Sequence, residues 1–164
     1  MYWPAIVDKY YPQGSPLRDI FLRHARQVTD EALSIARRKQ LPLSQQLIED
    51  AAMLHDVGIF MTNAPDIHCT GSAHYMQHGP LGAELLRREG VPEKIARVAE
   101  RHTGVGIPPY MPETLLERLV CYADKYYSKS DNMQRKTWSQ LLQQHAKYGA
   151  DNIARLRALH SEFE

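Results

Sequence analysis

The sequence predicts an all-α fold, a bundle of about six to seven helices with a set of ligand-type side chains turned into its core. Three observations carry this. Apolar residues recur at three- and four-residue spacing in one segment after another. Turns rich in Pro and Gly punctuate those segments at intervals of one short helix, and no stretch alternates apolar and polar residues as a half-buried strand does. The 164 residues, 43% hydrophobic and 24% charged, have ordinary globular composition, which excludes a disordered chain. They fit one domain over 1–164, with a core at about 17–130 and C-terminal helices over 133–164.

The elements follow in order. A short helix is expected over 4–11, closed by Pro12-Gln13-Gly14-Ser15-Pro16. From Leu17 to about Lys39, the row Leu17, Phe21, His24, Val28, Ala32, Ile35 marks a second helix. Ser44 is the expected N-cap of a third, carrying Ile48, Ala51 and His55 and stopping near Gly58. Residues 61–77 show no period and read as a long functional loop. Further helices are expected from Gly79-Pro80 to before Gly90, over Glu93–Arg101 and over about Glu113–Ser128. The last are expected from about Met133 to His145 and from Asp151 onward. A second loop spans 104–112.

Twenty basic and nineteen acidic residues give a net charge of +1 without long charge runs, so no stable nucleic-acid partner and no membrane surface are expected. Two cysteines, Cys69 and Cys121, make neither a disulfide framework nor a C-x-x-C clip. With no apolar run of membrane-spanning length and no signal-type N-terminal segment, the expected location is the cytoplasm.

The eight histidines direct attention to metal chemistry. His24, His55, His78, His102 and Asp124 each fall on a stripe that the helical period assigns to the core, and Asp56 adjoins His55. One buried histidine is ordinarily a core residue bonded to a backbone carbonyl, and burying it unsatisfied costs about 1–3 kcal/mol. Six such residues in register are another matter. The gaps His24 to His55, Asp56 to His78, His78 to His102 and His102 to Asp124 are 31, 22, 24 and 22 residues, one helix and a turn each time. Facing helices build di-metal sites in this way. Four imidazoles and two carboxylates suit iron, manganese or zinc and exceed the three protein ligands of a catalytic zinc. The count favours two metals bridged by Asp56.

The pattern H…HD…H…H…D, with His55-Asp56-Val57-Gly58 close to a His-Asp-Ile-Gly signature, resembles the HD-domain phosphohydrolase superfamily over roughly residues 17–130. His102-Thr103-Gly104, followed by Leu119 through Ala123-Asp124, is similar to the HD proteins that split diadenosine tetraphosphate symmetrically. The resemblance implies an HD-domain bundle with a shared core of His24, His55, Asp56 and Asp124. It implies that His78 and His102 complete a binuclear site and that Asp56 bridges it. The implied cofactors are two divalent ions, iron first, with manganese, zinc, magnesium and nickel as alternatives. The implied activity is hydrolysis of a nucleotide, phosphomonoester or phosphodiester by a metal-bound hydroxide, with Asp56 and His55 as catalytic residues.

Many relatives carry lysine shortly after His-Asp, where this chain has Ile59 and Phe60. Phosphate-neutralising charge is therefore expected from Lys125 and Lys129, or from Arg23 and Arg101, each of which precedes a ligand. Thr103 and Gly104 offer a hydroxyl and backbone N–H groups. The plainer alternatives are solvated helix faces and a simple C-cap turn. His68 and His74 are candidates for an entrance acid, although loop histidines more often have no role. His145 and His160 are expected at the surface. Tyr126, Tyr127 and Trp138 are expected to pack in the core rather than stack on a base, and Cys121 to be a small buried apolar residue. The expected partner is a small phosphorylated molecule, with a nucleotide among the candidates, and a homodimer is compatible with the sequence. Two other readings share the ligand set: a di-iron oxygenase of HD type, and a non-catalytic nucleotide-binding regulatory module.

Overall fold

The computed structural model describes residues 2–130 and 134–164. Helix α1 (Trp3–Tyr10) buries Ile6 and Val7, as the period requires. Beyond its end the Tyr11 hydroxyl donates to the Val57 carbonyl at 2.8 Å, anchoring the N-terminal segment beside the turn after the His-Asp pair. Helix α2 (Pro16–Arg38) is started by Ser15, whose side chain accepts from the Arg18 amide. Pro16 is thus the first residue of the helix rather than part of the turn before it, since its fixed φ suits that position. One stripe of α2, from Phe21 through His24, Ala25, Val28 and Ala32 to Ile35, is buried.

Helix α3 (Gln45–Leu54) is capped by Ser44 as expected, but ends four residues before Gly58. His55 is its C-cap, Asp56 takes φ −101° and ψ 14°, and the chain tightens into a 3-10 turn over Val57–Met61. The His-Asp pair therefore stands at the end of a helix, not on its side. The segment 61–77 is not a featureless loop: β1 (Asn63–Ala64) pairs antiparallel with β2 (Cys69–Thr70), Asn63 opposite Thr70. Strands of two residues are too short to display an alternating pattern, which explains their silence in the sequence.

Helices α4 (His78–Arg88) and α5 (Glu93–Glu100) lie close to their expected bounds. Helix α6 (Leu115–Lys125) is shorter than expected at both ends, starting after the Thr114 cap and ending before Tyr126. Helix α7 (Trp138–His145) begins at a Thr137–Gln140 capping box, later than the expected start at Met133, which lies outside the described residues. Helix α8 (Ala150–Phe163) closes the chain. The described residues thus form eight α-helices, in keeping with the predicted all-α bundle. None of them is long and apolar enough to cross a membrane.

Helix α2 packs across α3 and α6, α3 also meets α5, and α4 lies against α5 and the 57–61 turn. That last contact is backbone on backbone. A Cβ added to Gly58 would stand 2.3 Å from the His78 carbonyl oxygen and 2.7 Å from the Gly82 amide nitrogen. The glycine lets the turn after Asp56 touch the first turn of α4, where His78 begins. Gly58→Ala must push the two apart, and we expect a loss of about 1–3 kcal/mol on the scale of an overpacked core. A thermal melt of Gly58→Ala matching the parent would remove this contact as a determinant of the fold.

Candidate metal centre

Five elements deliver six side chains to one point. His24 comes from the middle of α2, His55 and Asp56 from the end of α3, His78 from the first residue of α4, His102 from just beyond α5 and Asp124 from the last turn of α6. All but Asp124 are buried, and Asp124 is partly so. Asp56 lies at the middle of the set. Its Oδ2 is 3.2 Å from His24 Nε2 and 3.1 Å from His55 Nε2. Its Oδ1 is 3.2 Å from His78 Nε2 and 3.0 Å from His102 Nε2. Asp124 Oδ1 joins the first pair, 2.8 Å from His24 Nε2 and 3.2 Å from His55 Nε2. The site accordingly divides into two ligand groups, His24–His55–Asp56–Asp124 and Asp56–His78–His102, which share one carboxylate.

The donor chemistry fits metal ions. His55, His78 and His102 each direct Nδ1 at the backbone carbonyl three residues earlier, at 2.6, 2.5 and 2.7 Å. In the neutral imidazole an Nδ1–H bonded in this way fixes the tautomer in which Nε2 carries a lone pair. In that tautomer the Nε2 atoms of His78 and His102, 2.9 Å apart, turn lone pairs toward each other. A divalent cation satisfies both at once. Burial lowers the His102 imidazole to about 4, keeping that nitrogen available as a ligand. Burial also works to lower His55, but the neighbouring Asp56 and Asp124 charges outweigh it and raise the imidazole to about 10. Burial would raise the Asp56 and Asp124 carboxyls, yet His55 and Lys129 hold the first, and Lys125 the second, well below the ordinary carboxylate range. Both carboxylates are ionised in the core, and their negative charge suits the cluster to cations.

The two lysines beside Asp124 are not solvated. Lys125 is buried, with Nζ 2.9 Å from Asp124 Oδ2 and 3.0 Å from the His102 carbonyl oxygen. Lys129 reaches back to Asp56 Oδ2 at 2.8 Å. Both line a cavity of about 670 Å³ that opens from the ligand cluster, together with Thr103, Gly104 and Tyr75. Thr103 Oγ1 is buried there without a hydrogen-bond partner. Arg23 and Arg101 do not line it. Arg23 is exposed on α2, and Arg101 is turned away to the Met111 carbonyl and Glu113, at 2.7 and 2.6 Å. His68 and His74 are exposed outside the cavity, and His74 Nδ1 is used in accepting the Met76 amide.

Two histidines expected at the surface are half-buried. His145 lines the cavity, and His160 stacks on Trp138 with ring centroids 3.7 Å apart and contacts the Tyr122 hydroxyl at 2.9 Å. Tyr126 is a core residue as expected, while Tyr127 borders the cavity and donates to Glu31. Cys121 is buried, its thiol directed at the His102 and Gly104 carbonyls. Sequence reasoning missed Tyr75. Its ring lies 4.6 Å from that of His78 and its backbone carbonyl fixes the His78 tautomer. The only available signal was its position three residues before a ligand.

The HD domain family model matches residues 21–129, which include all six side chains of the cluster. The chain belongs to the HD-domain family. This HD domain is similar to two proteins named tRNA (cytidine(56)-2'-O)-methyltransferase. It is 30% identical to that of Picrophilus torridus over 88% of the chain and 41% of the relative. It is 27% identical to that of Thermoplasma volcanium over 94% and 44%. A further relative, an uncharacterised protein of Methanocaldococcus jannaschii, is 34% identical over 63% of each chain. The HD domain thus spans less than half the length of the two methyltransferases it matches. No solved structure matches it.

Proposed function

We propose that this HD domain is a metal-dependent phosphohydrolase acting on a small phosphorylated substrate, a nucleotide or another phosphomonoester or phosphodiester. The observation that carries the reading is the division of Asp56, one oxygen toward each histidine pair, behind a cavity that His78, His102 and Asp124 line together with Lys125 and Lys129. His24, His55 and Asp124 would hold one ion and His78 and His102 the other, with Asp56 between them. Iron is our first assignment, with manganese, zinc, magnesium and nickel as alternatives. Two such ions supply a water acidified toward neutrality and a clamp on the phosphoryl oxygens. The chain's own part is placement and charge. The backbone carbonyls of Ala52, Tyr75 and Ala99 orient three imidazoles, Lys125 ties Asp124 to the His102 turn, and Lys129 offers an ammonium to the substrate phosphate. Thr103 and the Gly104 backbone, which line the same cavity, would donate to it. The cationic lining favours an anionic substrate. We do not extend methyl transfer to this segment, which covers less than half of the relatives so named.

Elemental analysis of purified protein with a screen for phosphate release tests the reading: two ions per chain and metal-dependent release are expected. Metal-free protein with undiminished turnover would overturn it. Within that reading, Lys129→Ala should lower kcat/KM roughly 10- to 150-fold, the effect of about 1.5–3 kcal/mol for a charged hydrogen bond. A rise in KM alone would mean that Lys129 binds ground state and transition state equally. A variant with unchanged kcat/KM would leave Lys129 only its contact with Asp56.

A further inference from the structure

We infer that Tyr11 is a positioning residue of the metal centre: its hydroxyl holds the peptide that follows Asp56, and so sets how Asp56 meets both histidine pairs. The inference rests on reading the six side chains as a metal centre. The family match begins at residue 21, ten residues after Tyr11. Tyr11 is fully buried, and its own place is fixed from α2. Its ring stacks on Phe21 with centroids 4.3 Å apart, and its carbonyl accepts from Arg18 Nη1 at 2.7 Å. Phe60 stands nearly perpendicular to the ring at 5.6 Å. From that rigid base the hydroxyl donates to the Val57 carbonyl at 2.8 Å. Burial and the nearby Asp56 charge hold the phenol well above its ordinary value, so it stays a donor. The other side of the same peptide is closed by α4, where Gly58 meets the His78 carbonyl and the Gly82 amide with no room for a Cβ. The Val57–Gly58 peptide is thus gripped between Tyr11 and the helix that carries His78. Asp56 directly precedes it, and its two oxygens lie 3.0–3.2 Å from four imidazole nitrogens. A small shift of the turn moves both oxygens off their partners at once. The N-terminal segment also grips α3 itself. The Tyr2 amide donates to Asp50 Oδ1 at 2.9 Å, and Trp3 Nε1 to Glu49 Oε1 at 3.1 Å. Helix α3, which ends in His55 and Asp56, is therefore braced both along its length and beyond its end. Without the Tyr11 hydroxyl the turn samples positions in which Asp56 does not ligate, and apparent metal affinity falls with the competent fraction.

The test reads metal affinity by chelator competition, alongside thermal melting of the metal-free protein. Tyr11→Phe removes the hydroxyl and keeps the ring. It should weaken both ions roughly three- to tenfold, the effect of one lost hydrogen bond, and leave the helical spectrum unchanged. Incorporation of 3-fluorotyrosine at position 11 keeps ring and hydroxyl together, and that protein should bind both ions as the parent does. Two controls separate positioning from stability. Tyr10→Phe removes the neighbouring phenol hydroxyl, which is bonded to Glu89 rather than to the turn, and should leave metal affinity unchanged. Ile35→Ala opens a cavity at a buried site on α2, eleven residues beyond His24. It should lower the melting temperature more than Tyr11→Phe does, without loss of metal affinity. Parent-like affinity in Tyr11→Phe, weakening of one ion alone, or an equal loss in either control would overturn the role. Because affinity is read rather than turnover, a loss at both ions in a protein that releases no phosphate would refute the hydrolase and leave Tyr11 in its role. A parent that takes up no ion would overturn both.

Discussion

Asp56→Ala is expected to abolish metal-dependent turnover and to remove both ions, the largest effect of any single substitution in this protein. Asp56 is the one side chain that belongs to both ligand groups, with its two oxygens facing different histidine pairs. Its removal takes a carboxylate from each group, leaving His24 and His55 with Asp124 and leaving His78 and His102 with neutral nitrogens alone. It also deprives Lys129 of its carboxylate partner, 2.8 Å away. A buried charge that loses its partner typically costs about 3–5 kcal/mol, but Lys129 borders the cavity and can turn its ammonium toward water. The helical circular dichroism spectrum should therefore persist. Asp56→Asn keeps the shape and removes only the charge, separating packing from ligation. It should fold like the parent and be equally inactive. Near-normal phosphate release by either variant, with two ions still bound, would refute the bridging role.

The helices and the convergence of six ligand-type side chains were legible in the sequence because both are written in periodicity. His24 stands in the row Phe21–His24–Val28, where an apolar residue is due, and Asp124 stands four residues after Val120. The structure buries His24 fully and Asp124 in part. What periodicity cannot express is the end of a helix. Placing His55 on the side of a helix overlooked that its Nδ1 bonds the Ala52 carbonyl and so serves as the terminal cap, turning the chain so that Asp56 points inward. The fates of Arg101 and Lys129 were illegible for another reason. Both are cations a few residues from a ligand. Glu113 and the Met111 carbonyl, whose location depends on how the 104–112 loop folds back, draw Arg101 out of the site. Lys129 follows the end of α6 and pairs with Asp56 at 2.8 Å. Tertiary partners, not spacing, decide which charge faces the substrate.

The second large effect expected is on nuclearity. His78→Ala/His102→Ala should lower the metal content from about two ions per chain toward one, as the two imidazoles face Oδ1 of Asp56 while the other four ligand oxygens and nitrogens are left in place. The facing lone pairs of His78 and His102, 2.9 Å apart, are the strongest electrostatic demand for a cation in the site, so their loss removes the ion rather than loosening it. Each truncation also leaves the Tyr75 or Ala99 carbonyl without its imidazole donor, at a cost of about 1–3 kcal/mol apiece where water cannot reach. The reciprocal variant His24→Ala/Asp124→Ala controls for that loss of stability. It should retain the ion held by His78 and His102 and lose the other. Plasma spectrometry on both variants, with anomalous scattering to locate the ion that remains, checks the assignment. If either pair of substitutions removes all metal, the two ions bind as one cooperative unit. If neither changes the stoichiometry, the histidines it removes are not ligands. Retention of different single ions by the two variants is the result that the divided geometry of Asp56 requires.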